Sequence, residues 1–274
     1  SKLNPYFIST LEEIKVLPTM SKEEYRLFTQ SIVNKNKKKY ENWYRDGTSG
    51  STGKPIKIYR TWNERAYMLA KYLRALFLNG YKIFDVTFSV PSPHRMAQQD
   101  SLLQKFGLMS RYSVAYTDAV ENMVRGFLNS HADMLYANKS QLVQMALYIE
   151  THHVTIEKPK LYVCAAETLD ENSKRIIQRT FGKENMISIY GSVEFNNLAF
   201  QLKGNSLYYF NHDTNILELE DVGGMNQAKG CSIITDLHIY SFPLIRYKLG
   251  DWIETAEIDG VKVITQIRGR MDDW

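Results

Sequence analysis

The sequence predicts an α/β protein: a largely parallel sheet flanked by helices, followed by a smaller β-rich subdomain. Between residues 61 and 190, short apolar or alternating runs recur between segments of helical period. That rhythm belongs to parallel strands joined by helices. After about residue 200 the helical period stops, and short strands broken by Gly, Asp and Asn follow one another. The chain has 274 residues, 44% of them hydrophobic and 23% charged, enough to bury a sizeable core. The expected division is residues 1–200 as the α/β subdomain and 201–274 as the β-rich one.

Taken in order, Ser21 and Glu24 have the spacing of a capping box that opens a first short helix. "GTSGSTGKP" (47–55) lies between "YENWY" and the alternating "PIKIYRT", so it is expected to join strand to strand. Thr61 and Glu64 box the next helix, whose apolar positions are Trp62, Ala66, Leu69, Leu73 and Leu76 and whose end is Asn79-Gly80. "IFDVTFSV" (83–90) reads as a strand, 95–106 and 118–128 as helices, and "DMLYA" (133–137) as a strand. Ser140 is the expected cap of "QLVQMALYIETHH". "KLYVCAA" (160–166) reads as a buried strand, Thr168 with Glu171 as the box of a helix stopping at Phe181-Gly182, and "MISIY" (186–190) as a further strand.

Several function classes fall away on composition. A net charge of +4, spread along the chain, gives no case for a nucleic-acid partner. The run "NKNKKKY" lacks the interleaved aromatics of a binding patch and reads as a solvated helix end. Two cysteines, Cys164 and Cys231, cannot build a disulfide framework, so a reducing, cytoplasmic setting is the expectation. The histidines show no metal-ligand spacing. No apolar run is long enough to span a bilayer, and no signal-peptide core opens the chain. Starting at Ser1 and stopping just after "GRMDD", it reads as a piece of something longer.

The loop at 47–55 is the first chemical signal. Its glycines, its hydroxyls on Thr48, Ser49, Ser51 and Thr52, and the charge of Lys54 suit a polyphosphate. A flexible surface hairpin is the alternative reading of the stretch alone. It is not a Walker loop. With Gly53-Lys54 at its end, the first glycine position holds Thr48, and the magnesium-binding hydroxyl position holds Pro55.

"TSGSTGKP" resembles the signature loop of the adenylate-forming superfamily of acyl-CoA ligases, luciferases and peptide-synthetase adenylation domains. Four further segments follow in that family's order: "CAAETL" (164–169), "IYGSVEF" (189–195), "RYKLGD" (246–251) and "IRGRMDD" (267–273). The lead-in "LEEIKVLPTMSKEE" and the style of "PLIRYKLGD" resemble the phenylacetate–CoA ligase branch and its capsular-polysaccharide relatives.

The resemblance implies the core of such an enzyme's large domain, using ATP, Mg²⁺ and coenzyme A on a small carboxylic acid, possibly an aromatic one. It places Thr48, Ser49, Gly50, Ser51, Thr52, Gly53 and Lys54 on the phosphates, and Ala166 and Glu167 beside the adenine. Tyr190, with Gly191 and Ser192, would lie against the base. Glu194 would hold Mg²⁺, Asp251 the ribose diol, and Arg270 the ribose and phosphate. Asp272 would be the hinge to a small C-terminal domain, whose catalytic lysine this chain stops short of. Arg268 has no family role and is expected on the surface.

Departures are Thr168 and Leu249, and above all Val193 where many relatives carry a phosphate-contacting Thr. Adenylation of a carboxylic acid followed by transfer to a thiol is the expected reaction, weak in this fragment without the lysine. A nucleotide-binding pseudoenzyme or scaffold in polysaccharide assembly is the alternative. Phe195, Asn196, Asn197 and His94 are candidate acid-pocket residues.

Overall fold

The computed structural model describes residues 10–47, 56–93, 104, 106–220 and 228–270. In chain order its strands are β1 Tyr44–Gly47, β2 Lys57–Arg60, β3 Thr87–Ser89, β4 Arg111–Ser113, β5 Met134–Asn138, β6 Leu161–Ala165, β7 Met186–Ser192, β8 Asn196–Gln201, β9 Tyr208–Phe210, β10 Asn215–Glu220, β11 Lys229–Asp236, β12 Tyr247–Ile258 and β13 Val261–Arg270. The chain forms two compact units. One comprises residues 71–192 and 197–209, the other the first 70 residues with 193–196 and 210–274. The α/β fold class expected from the sequence is present, with its parallel sheet in the first of these units.

In that unit, β4, β3, β5, β6 and β7 pair in parallel, in that order across the sheet. Side chains of a strand alternate between faces, and here both faces are covered. Leu135, Ala137, Tyr162 and Cys164 point to one face, where Met123, Val124, Phe127, Leu142, Met145, Ala146, Ile149, Ile177 and Phe181 meet them. These come from the helices Val120–Ser130, Lys139–Thr151 and Glu171–Phe181. Met134, Leu161, Val163, Ala165 and Ile187 point the other way, against Leu76 and Tyr81. Burial on both faces explains why "LYVCA" is apolar throughout instead of alternating.

The second unit is antiparallel. β1 and β2 form the hairpin expected around residues 47–55, paired from Tyr44↔Arg60 to Gly47↔Lys57. β10, β11, β12 and β13 form a meander. Phe242, buried, is ringed by Tyr40, Trp43 and Tyr59 at 5.5–6.0 Å between centroids. The N-terminal segment is tied to β12 through Met20, whose N–H donates to the Arg246 carbonyl and whose carbonyl accepts from Lys248 N–H, both at 2.9 Å.

Two of the four helix caps expected from the sequence are present. The Ser21–Glu24 box is present on both sides. So is the Thr61–Glu64 box, with Thr61 N–H donating to Glu64 Oε2 at 2.9 Å. Of the apolar face expected on the helix Trp62–Leu78, Leu73 and Leu76 pack inward, whereas Trp62, Ala66 and Leu69 are exposed, and Glu64, Met68, Lys71, Ala75 and Asn79 are buried instead. Polar residues can occupy those positions because the fold satisfies them. Asn79, for instance, donates to the Ala75 and Gln201 carbonyls and accepts from Lys203 N–H.

Two caps are also corrected. Asn138, not Ser140, is the N-cap of Lys139–Thr151, and Asp170, not Thr168, caps Glu171–Phe181 by accepting from Ser173 N–H at 2.9 Å. The strand expected over 83–90 contracts to Thr87–Ser89, because Asp85 accepts from Lys82 N–H and turns the chain there. β4 carried no sequence signal. The helix expected over 95–106 lies largely outside the described residues. No described helix is long and apolar enough to cross a membrane.

Candidate functional site

Glu194 sits in a turn, where an acid is ordinarily solvated, yet it is 2% exposed. Its Oε1 accepts from the Tyr247 hydroxyl at 3.0 Å. Its Oε2 is buried and has no hydrogen-bond partner among the described residues. The Arg60 guanidinium donates to the Val193 carbonyl at 3.1 Å and to the Glu194 carbonyl, so it grips this segment by its backbone. Arg60 is itself buried, and desolvation lowers its pKa, partly offset by the charges of Tyr25, Asp46 and Asp236. Since β2 ends at Arg60, the same strand carries both the hairpin that bears loop 48–55 and the clamp on Glu194.

Tyr247 is held rigidly. Its ring meets Tyr25 edge-on at 5.9 Å and Phe195 at 5.8 Å, and its backbone pairs with Ile234. Burial, reinforced by the neighbouring Glu194 charge, pushes its phenol pKa well above the ordinary value. It therefore remains a neutral donor. Tyr25 is pushed up to about 12, chiefly by burial.

Asp251 and Arg270 are direct cross-strand partners in β12 and β13. Arg270 Nε lies 3.7 Å from Asp251 Oδ1, and both side chains keep part of their surface in solvent. Each follows a glycine with positive φ, +84° at Gly250 and +96° at Gly269. Only glycine adopts such angles without strain. The register slips between Trp252 and Ile253, a bulge of the kind that re-aims side chains. Asp251 thus lies inside a strand, not in the turn after one. Arg268 is exposed, as expected, and pairs with Glu254 at 2.6 Å.

In the parallel-sheet unit, Ala166 and Glu167 follow the end of β6, as expected. Ala166 has φ +65°, and Glu167 N–H donates to the Ala165 carbonyl at 2.9 Å across it. That is a tight three-residue turn in a left-handed conformation that costs a non-glycine residue about 1–2 kcal/mol. Glu167 accepts from Ser140 Oγ at 2.6 Å and Ser140 N–H at 3.2 Å, so its carboxylate serves the start of Lys139–Thr151. Tyr190, Gly191 and Ser192 lie within β7, which runs two residues further than expected. Tyr190 is buried and Gly191 exposed.

Phe195 and Asn197 are fully buried. Phe195 packs on Tyr247, and Asn197 donates to the Lys71 carbonyl at 3.2 Å. Asn196 donates to the Met68 carbonyl at 3.1 Å. Thr48, Ser49, Gly50, Ser51, Thr52, Gly53, Lys54, His94 and Asp272 lie outside the described residues. Arg60 and Tyr247 have no role in the motif resemblance: Arg60 closes an alternating strand like any other edge residue, and Tyr247 lies inside "RYKLGD", whose implied ligand contact is the aspartate.

Among the described residues, no three His, Cys, Asp or Glu side chains gather to hold a metal ion by themselves. A single carboxylate with an unsatisfied oxygen nevertheless fits Mg²⁺, which takes one or two protein carboxylates and completes its shell with water and substrate phosphates.

No family model and no curated protein matches the sequence. Solved structures do match its fold. An open conformation of 2-hydroxyisobutyryl-CoA ligase with 2-HIB-AMP and CoA has a TM-score of 0.79 at 15% identity, covering 99% of this chain and 68% of that one. The same ligase in the postadenylation state with R3-HIB-AMP gives 0.77 at 15% identity, covering 98% and 61%. The anthranilate CoA ligase AuaEII with anthranoyl-AMP gives 0.61 at 16% identity, covering 85% and 48%. The chain therefore spans about two thirds of the hydroxyisobutyryl-CoA ligase chains and about half of the anthranilate ligase. At these identities the likeness establishes the fold: this chain has the fold found in that part of adenylate-forming CoA ligases.

Proposed function

We propose that this chain carries the nucleotide- and acid-handling part of an ATP-dependent adenylate-forming ligase. The observation that carries this reading is Glu194, a buried carboxylate with one oxygen fixed and the other unsatisfied, at the position where the motif resemblance calls for a magnesium ligand. A carboxylate oxygen of the substrate acid attacks the α-phosphorus of ATP. The bond from that phosphorus to the β-bridging oxygen breaks, releasing pyrophosphate and leaving an acyl-adenylate. In the second step a thiolate, with coenzyme A as the acceptor, attacks the acyl carbon and AMP departs.

Loop 48–54 would hold the β- and γ-phosphates with backbone N–H groups, hydroxyls and Lys54. Asp251 would accept from both ribose hydroxyls, with Arg270 beside it for the phosphate. Tyr190 would lie on the purine, with Ala166, Glu167, Gly191 and Ser192 around it, and Asp272 would be the hinge. Mg²⁺, held through Glu194, would neutralise the charge that builds on the departing pyrophosphate. The boundary near residue 200 would separate the base-handling part of the chain from the ribose-handling part. The motif style favours a phenylacetate–CoA ligase-like branch with capsular-polysaccharide relatives, a small, possibly aromatic acid, and work in the cytoplasm.

The reaction is tested by exchange of labelled pyrophosphate into ATP in the protein that carries this chain, across a panel of carboxylic acids. Acid-dependent exchange is expected. ATP binding without exchange for any acid would overturn the reading.

A further inference from the structure

The geometry points to Tyr247 as a positioning residue that fixes the Glu194 carboxylate so that only Oε2 is presented to the magnesium–nucleotide. This rests on the function proposed above and adds a residue to which that reading assigns nothing. Four observations carry it. A carboxylate rotates freely unless both its oxygens or its stem are held. Here Oε1 is held by a phenol at 3.0 Å inside the protein, and the phenol is in turn pinned by two rings.

The backbone on either side is fixed independently, since Arg60 bonds the carbonyls of Val193 and Glu194. That cation bonds the carbonyls, so it supplies no hydrogen bond to Oε2. A buried carboxylate oxygen with no hydrogen-bond partner among the described residues is destabilising by itself. A divalent cation completed by phosphate oxygens removes that deficit. A phenol is suited to the task because it donates one hydrogen bond without bringing a charge that would compete with the cation.

The test uses Mn²⁺ as a spectroscopic probe. Electron paramagnetic resonance reads its affinity for the protein–ATP complex, and calorimetry reads metal-free AMP. In Tyr247→Phe, Mn²⁺ affinity is expected to fall about tenfold or more, the usual consequence of removing a partner of a metal ligand, with AMP affinity unchanged. Glu194→Gln should lose the metal's contribution altogether, and Tyr25→Phe, which leaves the Glu194 bond intact, should keep it. Equal Mn²⁺ affinity in wild type and Tyr247→Phe would overturn the inference while leaving the nucleotide reading intact. Absence of AMP and ATP binding in wild type would overturn both.

Should Tyr247→Phe not fold, isotope-edited infrared of wild type labelled at glutamate serves instead. Mn²⁺ with ATP is expected to widen the splitting of one buried carboxylate's stretches, as for a group bonded through one oxygen to metal and through the other to a phenol. An unshifted buried carboxylate would contradict the proposal.

Discussion

The Tyr247 hydroxyl donates to Glu194 at 3.0 Å from the same strand, β12, that four residues later sets Asp251 opposite Arg270. One strand therefore organises two polar centres. It enters the core with an apolar ring and leaves it with a carboxylate, the change of direction coming from Gly250 at φ +84° and the register slip after Trp252.

Glu64 couples a helix start to a loop. Its carboxylate accepts from Thr61, from the N–H groups of Tyr240 and Ser241 at 3.0 and 2.9 Å, and from Ser241 Oγ at 2.6 Å. Burial alone would raise its pKa, but the hydrogen bonds from Ser241 and Thr61 together outweigh burial and lower it. A carboxyl depressed in the folded state adds stability above its unfolded pKa, about 4.3, and loses it as pH falls through the lower folded value. Glu64→Gln should cost about 2–3 kcal/mol at neutral pH, as for lost hydrogen bonds to a charged group. The deficit should shrink below about pH 4. Urea denaturation of both proteins across pH checks this, and a deficit independent of pH would refute it.

Gly126 faces the sheet from the helix Val120–Ser130. A Cβ there would stand 2.9 Å from Val114 Cγ2 and 3.0 Å from the Phe88 ring. Alanine normally gains about 1 kcal/mol over glycine in a helix, but overpacking costs typically 1–3 kcal/mol. Gly126→Ala should therefore lower the thermal midpoint. A raised midpoint would mean that the helix does not lie this close to β3.

Ala166 holds φ +65°. Glycine relieves about 1–2 kcal/mol of backbone strain there against about 0.4–1 kcal/mol lost through the unfolded chain. Ala166→Gly is expected to be neutral or slightly stabilising by denaturant titration, whereas clear destabilisation would deny the left-handed turn after β6.

The parallel layer was legible because burial on both faces leaves strands such as "LYVCA" with no polar residue to confuse the reading. Paired signals were also legible, Thr61 with Glu64 and Ser21 with Glu24, because each depends only on residues three apart. What failed was anything set by distant partners. Lys71 and Asn79 face inward beside Met68, Ala75 and Leu76 while Trp62 and Leu69 are exposed, since Gln201 and Lys203 satisfy Asn79 from more than 120 positions away. Ser140 lost its cap role because Glu167, 27 positions on, occupies its hydroxyl. In the candidate site, motif order pointed to Glu194, Asp251 and Arg270. The clamp by Arg60 spans 134 positions and the bond from Tyr247 spans 53, so neither leaves a local trace.

The most direct test of a nucleotide site on this chain is calorimetric titration with AMP of the wild type and of Asp251→Ala. Asp251 is partly exposed, so the variant should fold as the wild type does. Loss of hydrogen bonds to a charged acceptor, about 1.5–3 kcal/mol, should weaken AMP by roughly tenfold or more. Equal affinity in the two proteins would contradict the ribose assignment, and an absence of heat in the wild type would contradict nucleotide binding itself.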